Sequence, residues 1–341
     1  MNKSLSNLIV KTLQSNIKAD IIGKKINNKW KWSNRKEIYN LVVNCTVTLE
    51  DLNIRKGDRV AYKGKNSIEW LCWNTAVNSK GAIWVPMYSD QNIEYCQHIV
   101  NDCKPKILIT DNYSLANEIN VPVIDHLIPN FETNSEIDFE YNEISSLIYT
   151  SGTTGKPKGV MLSNENILSN VNGIRNIFKD IRPTTSLNIL PWAHIYTQTC
   201  ELYYNILYDN KIALSSGKEN FINECKEIRP EVIYIVPRVL EIVKAKLDCL
   251  DKPLIRKVLP LLISKLFGGN LITIFTGGAK LDKNTRNFFL DNGISICEGY
   301  GCTETSPMVS VNHITNPRNE ESVGFLLDKV LIEIINEEIC V

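Results

Sequence analysis

The chain is poor in histidine: 341 residues include only four, and none of the ten cysteines (Cys45, Cys72, Cys96, Cys103, Cys200, Cys225, Cys249, Cys297, Cys302 and Cys340) falls in a Cys-x-x-Cys pair. A structural zinc site is therefore not expected. An excess of either charge is also missing, since 38 Lys+Arg balance 38 Asp+Glu. That balance gives no bulk basic field for nucleic acid and no acidic tail, so an anionic ligand must be met by locally placed groups. Nor does any apolar run approach the roughly 18 to 20 residues of a spanning helix. The opening Met1-Asn2-Lys3-Ser4-Leu5-Ser6-Asn7 lacks the apolar core of a secretory signal. Several cysteines sit among apolar neighbours, as in Ile296-Cys297-Glu298 and Ile339-Cys340-Val341. This suits small buried hydrophobes in a reducing compartment better than a disulfide framework. A cytoplasmic protein is expected, with membrane contact at most peripheral.

What is present is an ordinary soluble composition, 43% hydrophobic, long enough for about two domains at roughly 150 residues each. Short runs rich in isoleucine and valine recur, each followed by turn residues and then by helical spacing, the rhythm of an α/β fold. Strands are predicted over 59–62, 82–85, 106–109, 146–149, 186–190, 232–236, 271–275 and 294–296. Most look buried on both faces, as a parallel sheet requires. Helices are predicted over 68–79, 94–101, 239–247 and 282–292, with Asp282 as N-cap and Gly293 as the stop. The polar, acidic stretch 129–142 reads as a surface connection. The last residues read as a strand over 330–335, a turn at Asn336-Glu337-Glu338, and a partner strand that stops after three residues. An edge cut in this way is usually avoided, so polypeptide is expected beyond Val341.

The densest chemistry lies in Tyr149-Thr150-Ser151-Gly152-Thr153-Thr154-Gly155-Lys156-Pro157-Lys158-Gly159-Val160. Glycines admit positive φ and close backbone approach, hydroxyls and free N–H groups donate to phosphate oxygens, and lysines neutralise charge. The bland alternative is a plain hairpin turn between two apolar runs. The segment is not a mononucleotide P-loop, because Pro157 follows Lys156 and Thr150 stands in the first glycine's place. A second cluster, Glu298-Gly299-Tyr300-Gly301-Cys302-Thr303-Glu304-Thr305-Ser306-Pro307, follows a predicted strand, where ligands of open α/β sheets collect. There Tyr300 offers a flat face for a base, Thr303 a hydroxyl for phosphate and Glu304 a hard oxygen for Mg²⁺; a solvated loop carboxylate is the alternative for Glu304. Thr276-Gly277-Gly278-Ala279 also follows a strand and permits close backbone approach.

Together these segments resemble the acyl-adenylate-forming (AMP-binding) superfamily of acyl-CoA synthetases, firefly-type luciferases and peptide-synthetase adenylation domains. Tyr149 to Val160 fits that family's phosphate-binding signature, and Gly299-Tyr300-Gly301-x-Thr303-Glu304 its second signature. The resemblance runs from about Trp32 to Val341, with Lys56-Gly57-Asp58-Arg59-Val60, Gly81-Ala82-x-x-Val85-Pro86, Gly277-Gly278-Ala279 and Ser322-Val323-Gly324 as further landmarks. Leu190-Pro191-Trp192-Ala193-His194 and Val236-Pro237-Arg238-Val239 are most similar to long-chain fatty acyl-CoA synthetases. For His194 a helix-start role and an acyl-pocket role both stay open. For Arg238 the choice is between pairing with nearby carboxylates and ligand contact. The segment 254–267 reads as an amphipathic helix that faces either the core or a membrane surface.

The resemblance implies an α/β, two-lobed adenylate-forming large domain over 1–325, with parallel-rich sheets flanked by helices. A β-rich subdomain would begin at 326–341 and be incomplete. It implies a ligase that joins a carboxylic, fatty acid to ATP, forms acyl-AMP and passes the acyl group to coenzyme A. Thr150, Ser151, Gly152, Thr153, Thr154, Gly155, Lys156 and Lys158 would hold the triphosphate. Gly277, Gly278, Ala279 and Gly301 would line the adenine and acyl crevice, with His194 at the acid. Tyr300 would stack on adenine, Thr303 would contact the α-phosphate and Glu304 would hold Mg²⁺; Thr303, Glu304 and Lys156 are the expected catalytic residues. Asp328-Lys329 departs from the family's Pro-Gly. The family's small mobile domain with its catalytic lysine would lie beyond residue 341, which leaves room for a separate C-terminal polypeptide; this chain would then be the N-terminal nucleotide-binding part, impaired alone, with weak nucleotide binding and little or no thioester synthesis. A carrier-protein acceptor, or a non-catalytic nucleotide-binding module, is the alternative.

Overall fold

The structure, a computed structural model, describes residues 4–130, 135–151, 155–178, 184–248, 257–314 and 321–341. It divides into two compact units: Met1–Ile21 with Ser33–Leu168 and Pro191–Gln198, and Ile22–Trp32 with Ser169–Leu190 and Thr199–Val341.

In the first unit the strands Val123–Asp125, Ile107–Thr110, Arg59–Lys63, Ile83–Met87, Ile144–Ser151 and Pro157–Ser163 lie side by side in that order. All neighbours are parallel except the last pair, which forms a hairpin. Val60 stands opposite both Trp84 and Ile107, and every residue of Ile107–Thr110 is buried, as a sheet covered on both faces demands. Helix Ile68–Ser79 starts where the Ser67 hydroxyl accepts the Trp70 N–H at 3.1 Å. It is buried almost all round, which explains why its sequence shows so little polar face. Helix Ile93–Cys103 starts on Asn92, whose side chain accepts the Tyr95 N–H at 2.9 Å. Its Cys96, Ile99, Val100 and Cys103 pack into one core with Ala61, Val85, Leu108 and Tyr149. Tyr62, Trp70, Trp84 and Trp192 form a second buried group, with Trp70 edge-on to Trp84 at 5.1 Å and to Trp192 at 5.7 Å.

The second unit is built on nine strands among the described residues, in the order Phe325–Leu326, Met308–Val311, Ser295–Gly301, Thr273–Thr276, Val232–Ile235, Thr185–Asn188, Lys211–Leu214, Asp20–Ile26 and Lys29–Asn34. From Ser295–Gly301 to Asp20–Ile26 the pairing is parallel. Met308–Val311 runs antiparallel to its neighbours on either side. Ile233, Ile235, Ile274 and Ile296 meet Leu240, Ile263, Phe267 and Phe289 from the helices in one core. Asp282 caps helix Lys283–Asp291 as expected, accepting from the Thr285 N–H at 2.8 Å. Its hydrogen bonds from the Thr285 backbone and hydroxyl hold the carboxyl below its ordinary range.

Several expectations change. Ser295–Gly301 is longer than the predicted 294–296, so Gly299, Tyr300 and Gly301 belong to a paired strand rather than a loop. The terminal hairpin pairs Glu333–Ile335 with Glu338–Cys340. Its turn is therefore two residues, Asn336-Glu337, both at positive φ (51° and 66°), the conformation that favours a tight hairpin. Cys340, expected to be buried, is exposed with the rest of that hairpin, whereas Cys297 is buried. Seven of the nine described cysteines are buried thiols, and Cys249 lies outside the described residues. Within 254–267 the described part contains helix Leu259–Leu266, whose Leu259 and Ile263 face the core, while Leu261 and Leu262 are exposed. Among the described residues no helix is long and apolar enough to cross a membrane.

Candidate active site

The glycine- and threonine-rich segment caps the hairpin of the first unit. Tyr149 stands opposite Gly159, Thr150 opposite Lys158 and Ser151 opposite Pro157. Pro157 opens its strand, a position where the missing N–H breaks no ladder bond. Lys156 and Lys158 are exposed, so both ammonium groups remain in water next to the turn. Gly152, Thr153 and Thr154, expected at the phosphates, lie outside the described residues. The hairpin thus carries two cations into solvent beside the turn, an arrangement able to meet an anion.

The Pro191–His194 segment belongs to the same unit. Trp192 is buried and donates its backbone N–H to Asn66 Oδ1 at 2.7 Å. His194 starts helix Ile195–Thr197, where its Nδ1 accepts the Tyr196 N–H at 3.1 Å. The acceptor role leaves the neutral ring's proton on Nε2. Desolvation by the surrounding protein lowers the imidazole from its ordinary value, although His194 as a residue is exposed. A helix-start role for His194 is therefore realised, and its Nε2–H stays available.

In the second unit, Gly277, Gly278 and Ala279 follow strand Thr273–Thr276 at its carboxyl end. Gly277 is buried; Gly278 and Ala279 are exposed. Gly278 adopts φ +81° with open space where a Cβ would stand, so backbone conformation and not crowding calls for glycine there. The parallel neighbour Ser295–Gly301 presents Tyr300, 41% exposed, near its end. Thr303 and Glu304 lie on the short 3₁₀ turn Thr303–Thr305, Glu304 in solvent. Gly301 is forced by crowding, because a Cβ would lie 1.7 Å from the Pro307 carbonyl oxygen.

Two residues without an assigned role organise this end of the sheet. Glu298 is buried. Its Oε1 accepts the Leu281 N–H at 3.2 Å, while Oε2 lies 3.8 Å from Arg286 Nη1. It thereby ties the segment that follows Ala279 to the strand that carries Tyr300. Asn170, on helix Asn164–Ile177, accepts the Met308 N–H at 3.1 Å and donates to the carbonyls of Met308 (2.8 Å) and Thr305 (3.1 Å). The turn with Thr303 and Glu304 is held from behind by one amide. Asn170 carried no sequence signal, since asparagine is abundant throughout the chain. Arg238 pairs with Glu241 at 3.0 Å and is largely in solvent, the carboxylate-pairing role.

Among the described residues no group of three or more His, Cys, Asp and Glu side chains converges as a metal site. One exposed carboxylate, Glu304, suits a Mg²⁺ ion that takes most of its ligands from phosphates and water, and would not suit an all-protein cage.

Two α/β units with parallel-rich sheets flanked by helices, each carrying a glycine-rich strand end, have the fold of an adenylate-forming large domain. The chain belongs to the AMP-binding enzyme family, which matches residues 19–340. Similar proteins include the long-chain-fatty-acid–CoA ligase FadD15 of Mycobacterium bovis, 23% identical over 350 residues. That match takes in 82% of this chain and 57% of the relative. The long-chain-fatty-acid–CoA ligase ACSBG1 of Homo sapiens is 25% identical, over 93% of this chain and 54% of the relative. The chain thus spans a little over half the length of these relatives. Among solved structures, VinN with L-aspartate superposes with a TM-score of 0.81 at 16% identity, covering 98% of this chain and 84% of that one. The o-succinylbenzoate CoA synthetase of Bacillus subtilis in complex with the acyl-adenylate OSB-AMP gives 0.79 at 18% identity, over 98% and 66%.

Proposed function

We propose that the chain is the nucleotide-binding part of a ligase that activates a fatty acid with ATP, first to acyl-AMP and then to acyl-CoA. The observation that carries the reading is the pairing of two signatures. One is a rigid hairpin ending in Lys156 and Lys158; the other is a strand end carrying Tyr300, Thr303 and Glu304. Matches to long-chain fatty acid ligases support the choice of acid.

The acid's carboxylate is already ionised at neutral pH and needs no general base. Its oxygen attacks the α-phosphorus, the bond from that phosphorus to the bridging oxygen breaks, and pyrophosphate leaves with the electron pair. The barrier is the approach of two anions, so fixed positive charge and positioning supply most of the catalysis. Lys156 and Lys158, with the hydroxyls and N–H groups of 150–155, hold the triphosphate. Thr303 donates to the α-phosphate, Tyr300 stacks on adenine, and Gly278, Ala279 and Gly301 leave room for base and acid. His194 Nε2–H orients the carboxylate. Bound Mg²⁺, held at Glu304, would neutralise phosphate charge. In the second half-reaction the sulfur of coenzyme A, giving up its proton to water, attacks the acyl carbonyl carbon; the bond from that carbon to the phosphate oxygen breaks, and AMP leaves with the electron pair.

The test is ATP binding by purified 1–341, and pyrophosphate exchange by this chain and by any longer reading frame that contains it, with a panel of acids, with and without coenzyme A. Exchange that depends on a fatty acid, with coenzyme A consumed, supports the reading. Exchange indifferent to coenzyme A points to a carrier-protein acceptor, and ATP binding without exchange to a non-catalytic module. A chain that does not bind ATP overturns it.

A further inference from the structure

We infer that His98 and Asp102, on helix Ile93–Cys103, are positioning residues that brace the two legs of the phosphate-binding hairpin, an inference that rests on the function proposed above. The Tyr149 hydroxyl donates to Asp102 Oδ2 at 2.5 Å, and His98 Nε2 donates to the Pro157 carbonyl at 2.9 Å. Tyr149 lies on the strand that enters the turn and Pro157 opens the strand that leaves it. His98 and Asp102 are four residues apart, so they sit on one helix face one turn apart. One helix therefore grips both legs.

The helix is a suitable anchor. Its N-terminus is capped by Asn92, and Cys96, Ile99, Val100 and Cys103 bury the adjoining face in the core of the unit. The tyrosine is equally committed. Gly159 faces it across the hairpin, and a Cβ there would come within 3.1 Å of the Tyr149 ring and 2.9 Å of Leu147. Glycine at 159 thus lets the ring lie across the neighbouring strand, and its hydroxyl arrives at the helix. Burial, with the Asp102 carboxylate beside it, pushes the phenol well above its ordinary pKa, so it remains a donor. Neither bond touches the residues assigned to the nucleotide. Their effect is to fix where Thr150 and Lys156 begin and end the turn, which is the preorganisation that a polyphosphate grip requires.

The brace acts on the turn that holds the β- and γ-phosphates, so it should discriminate ATP from AMP. Binding of MgATP and of AMP to purified 1–341 is measured by titration calorimetry for wild type, Tyr149→Phe, Asp102→Leu, Asp102→Asn, His98→Leu and His98→Gln. Tyr149→Phe, Asp102→Leu and His98→Leu should each weaken ATP by about five- to tenfold, the worth of one hydrogen bond to a positioned group. AMP affinity should stay within about twofold. Asp102→Asn keeps an acceptor and His98→Gln keeps a donor at the Nε2 position, so both should restore ATP affinity. Were a leucine variant not to fold, Tyr149→Phe removes a single oxygen and still decides the matter. A parallel fall in ATP and AMP affinity, or unchanged ATP affinity in Tyr149→Phe, would overturn the brace and leave the proposed function standing. A wild-type chain that binds neither nucleotide would overturn the proposed function, and the brace with it.

Discussion

Asn170 satisfies both backbone polar groups of Met308, accepting from its N–H and donating to its carbonyl, and spends a further donor contact on Thr305. The end of the Thr303–Thr305 turn and the start of strand Met308–Val311 are thereby held by one buried side chain. Replacing Asn170 with leucine leaves the Met308 N–H and carbonyl without that partner. At about 1 kcal/mol per net hydrogen bond, and more for a buried group left unsatisfied, the loss should be about 2 to 4 kcal/mol. Equilibrium urea unfolding measures it. Asn170→Asp is the sharper test: the N–H of Met308 keeps its acceptor, but a carboxylate then faces two carbonyls. Its destabilisation should therefore grow as pH rises through the carboxylate range.

Crowding and conformation make separable demands on glycine in the same unit. At Gly301 a Cβ would collide with the Pro307 carbonyl, whereas at Gly278 the Cβ would meet nothing and only φ +81° resists. Gly301→Ala must move backbone, so it should cost about 3 kcal/mol or more and shift the pairing of Ser295–Gly301 with Met308–Val311. Gly278→Ala should cost only about 1 to 2 kcal/mol. Thermal unfolding of the two variants side by side gives the comparison; equal losses would refute the distinction.

Much of this architecture is legible in the sequence. Runs such as Val60-Ala61-Tyr62 and Ile107-Leu108-Ile109 are apolar on consecutive positions because both faces of a parallel sheet are covered, and the spacing of such runs gives the α/β alternation. Asp282 and Ser67 announce helix starts because the capping oxygen is in the residue itself. The helix Arg35–Asp51 is harder to see. Its Val42-Val43 and Thr46-Val47-Thr48 favour strands locally, and packing against Ile68–Ser79 overrides them, although the box of Asn34 with Glu37 marks its start. The two signatures are legible because their residue types are rare together. Of the supports behind them, Asn170, His98 and Asp102 are ordinary residues far away in sequence, and only the fold brings them to the strand end and the hairpin; Glu298 stands inside the second cluster, but its partners Leu281 and Arg286 do not.

Glu298 and Arg286 are both buried with 3.8 Å between their charges. Glu298→Gln keeps an acceptor for the Leu281 N–H but leaves the guanidinium uncompensated. Removing one partner of a buried pair costs about 3 to 5 kcal/mol, whereas replacing both with apolar groups is often near neutral. Glu298→Gln should accordingly be much less stable than wild type, and Arg286→Met with Glu298→Gln should recover most of the loss. A double-mutant cycle in urea measures the coupling; additive losses would show that the pair does not interact.

His194 links the fold to pH. The ring is kept neutral because Nδ1 accepts the Tyr196 N–H and burial disfavours the charged form, so the folded chain binds its proton less readily than the unfolded chain. The stabilisation is present above the unfolded value of about 6.5 and is lost progressively as pH falls from there through the lower folded value. Urea midpoints between about pH 7 and 5 should decline for wild type. His194→Asn keeps a side-chain oxygen for the Tyr196 N–H and should show a shallower decline. An identical slope in the variant would remove His194 from the account.

Lys156 and Lys158 should separate binding from stability. Both are exposed on the hairpin, and exposed substitutions away from packed contacts usually change stability by no more than about 0.5 kcal/mol. If the two ammonium groups meet a polyphosphate, their loss should instead appear in nucleotide affinity. Lys156→Met should weaken MgATP by about tenfold or more, in line with a charge-assisted contact of about 1.5 to 3 kcal/mol. Salt should weaken the wild type more steeply than the variant, because screening acts on a charge that the variant lacks. Calorimetric titration at low and high salt reads both effects, with unfolding midpoints as the control. An ATP affinity indifferent to Lys156 and to salt would mean that the hairpin does not grip phosphate.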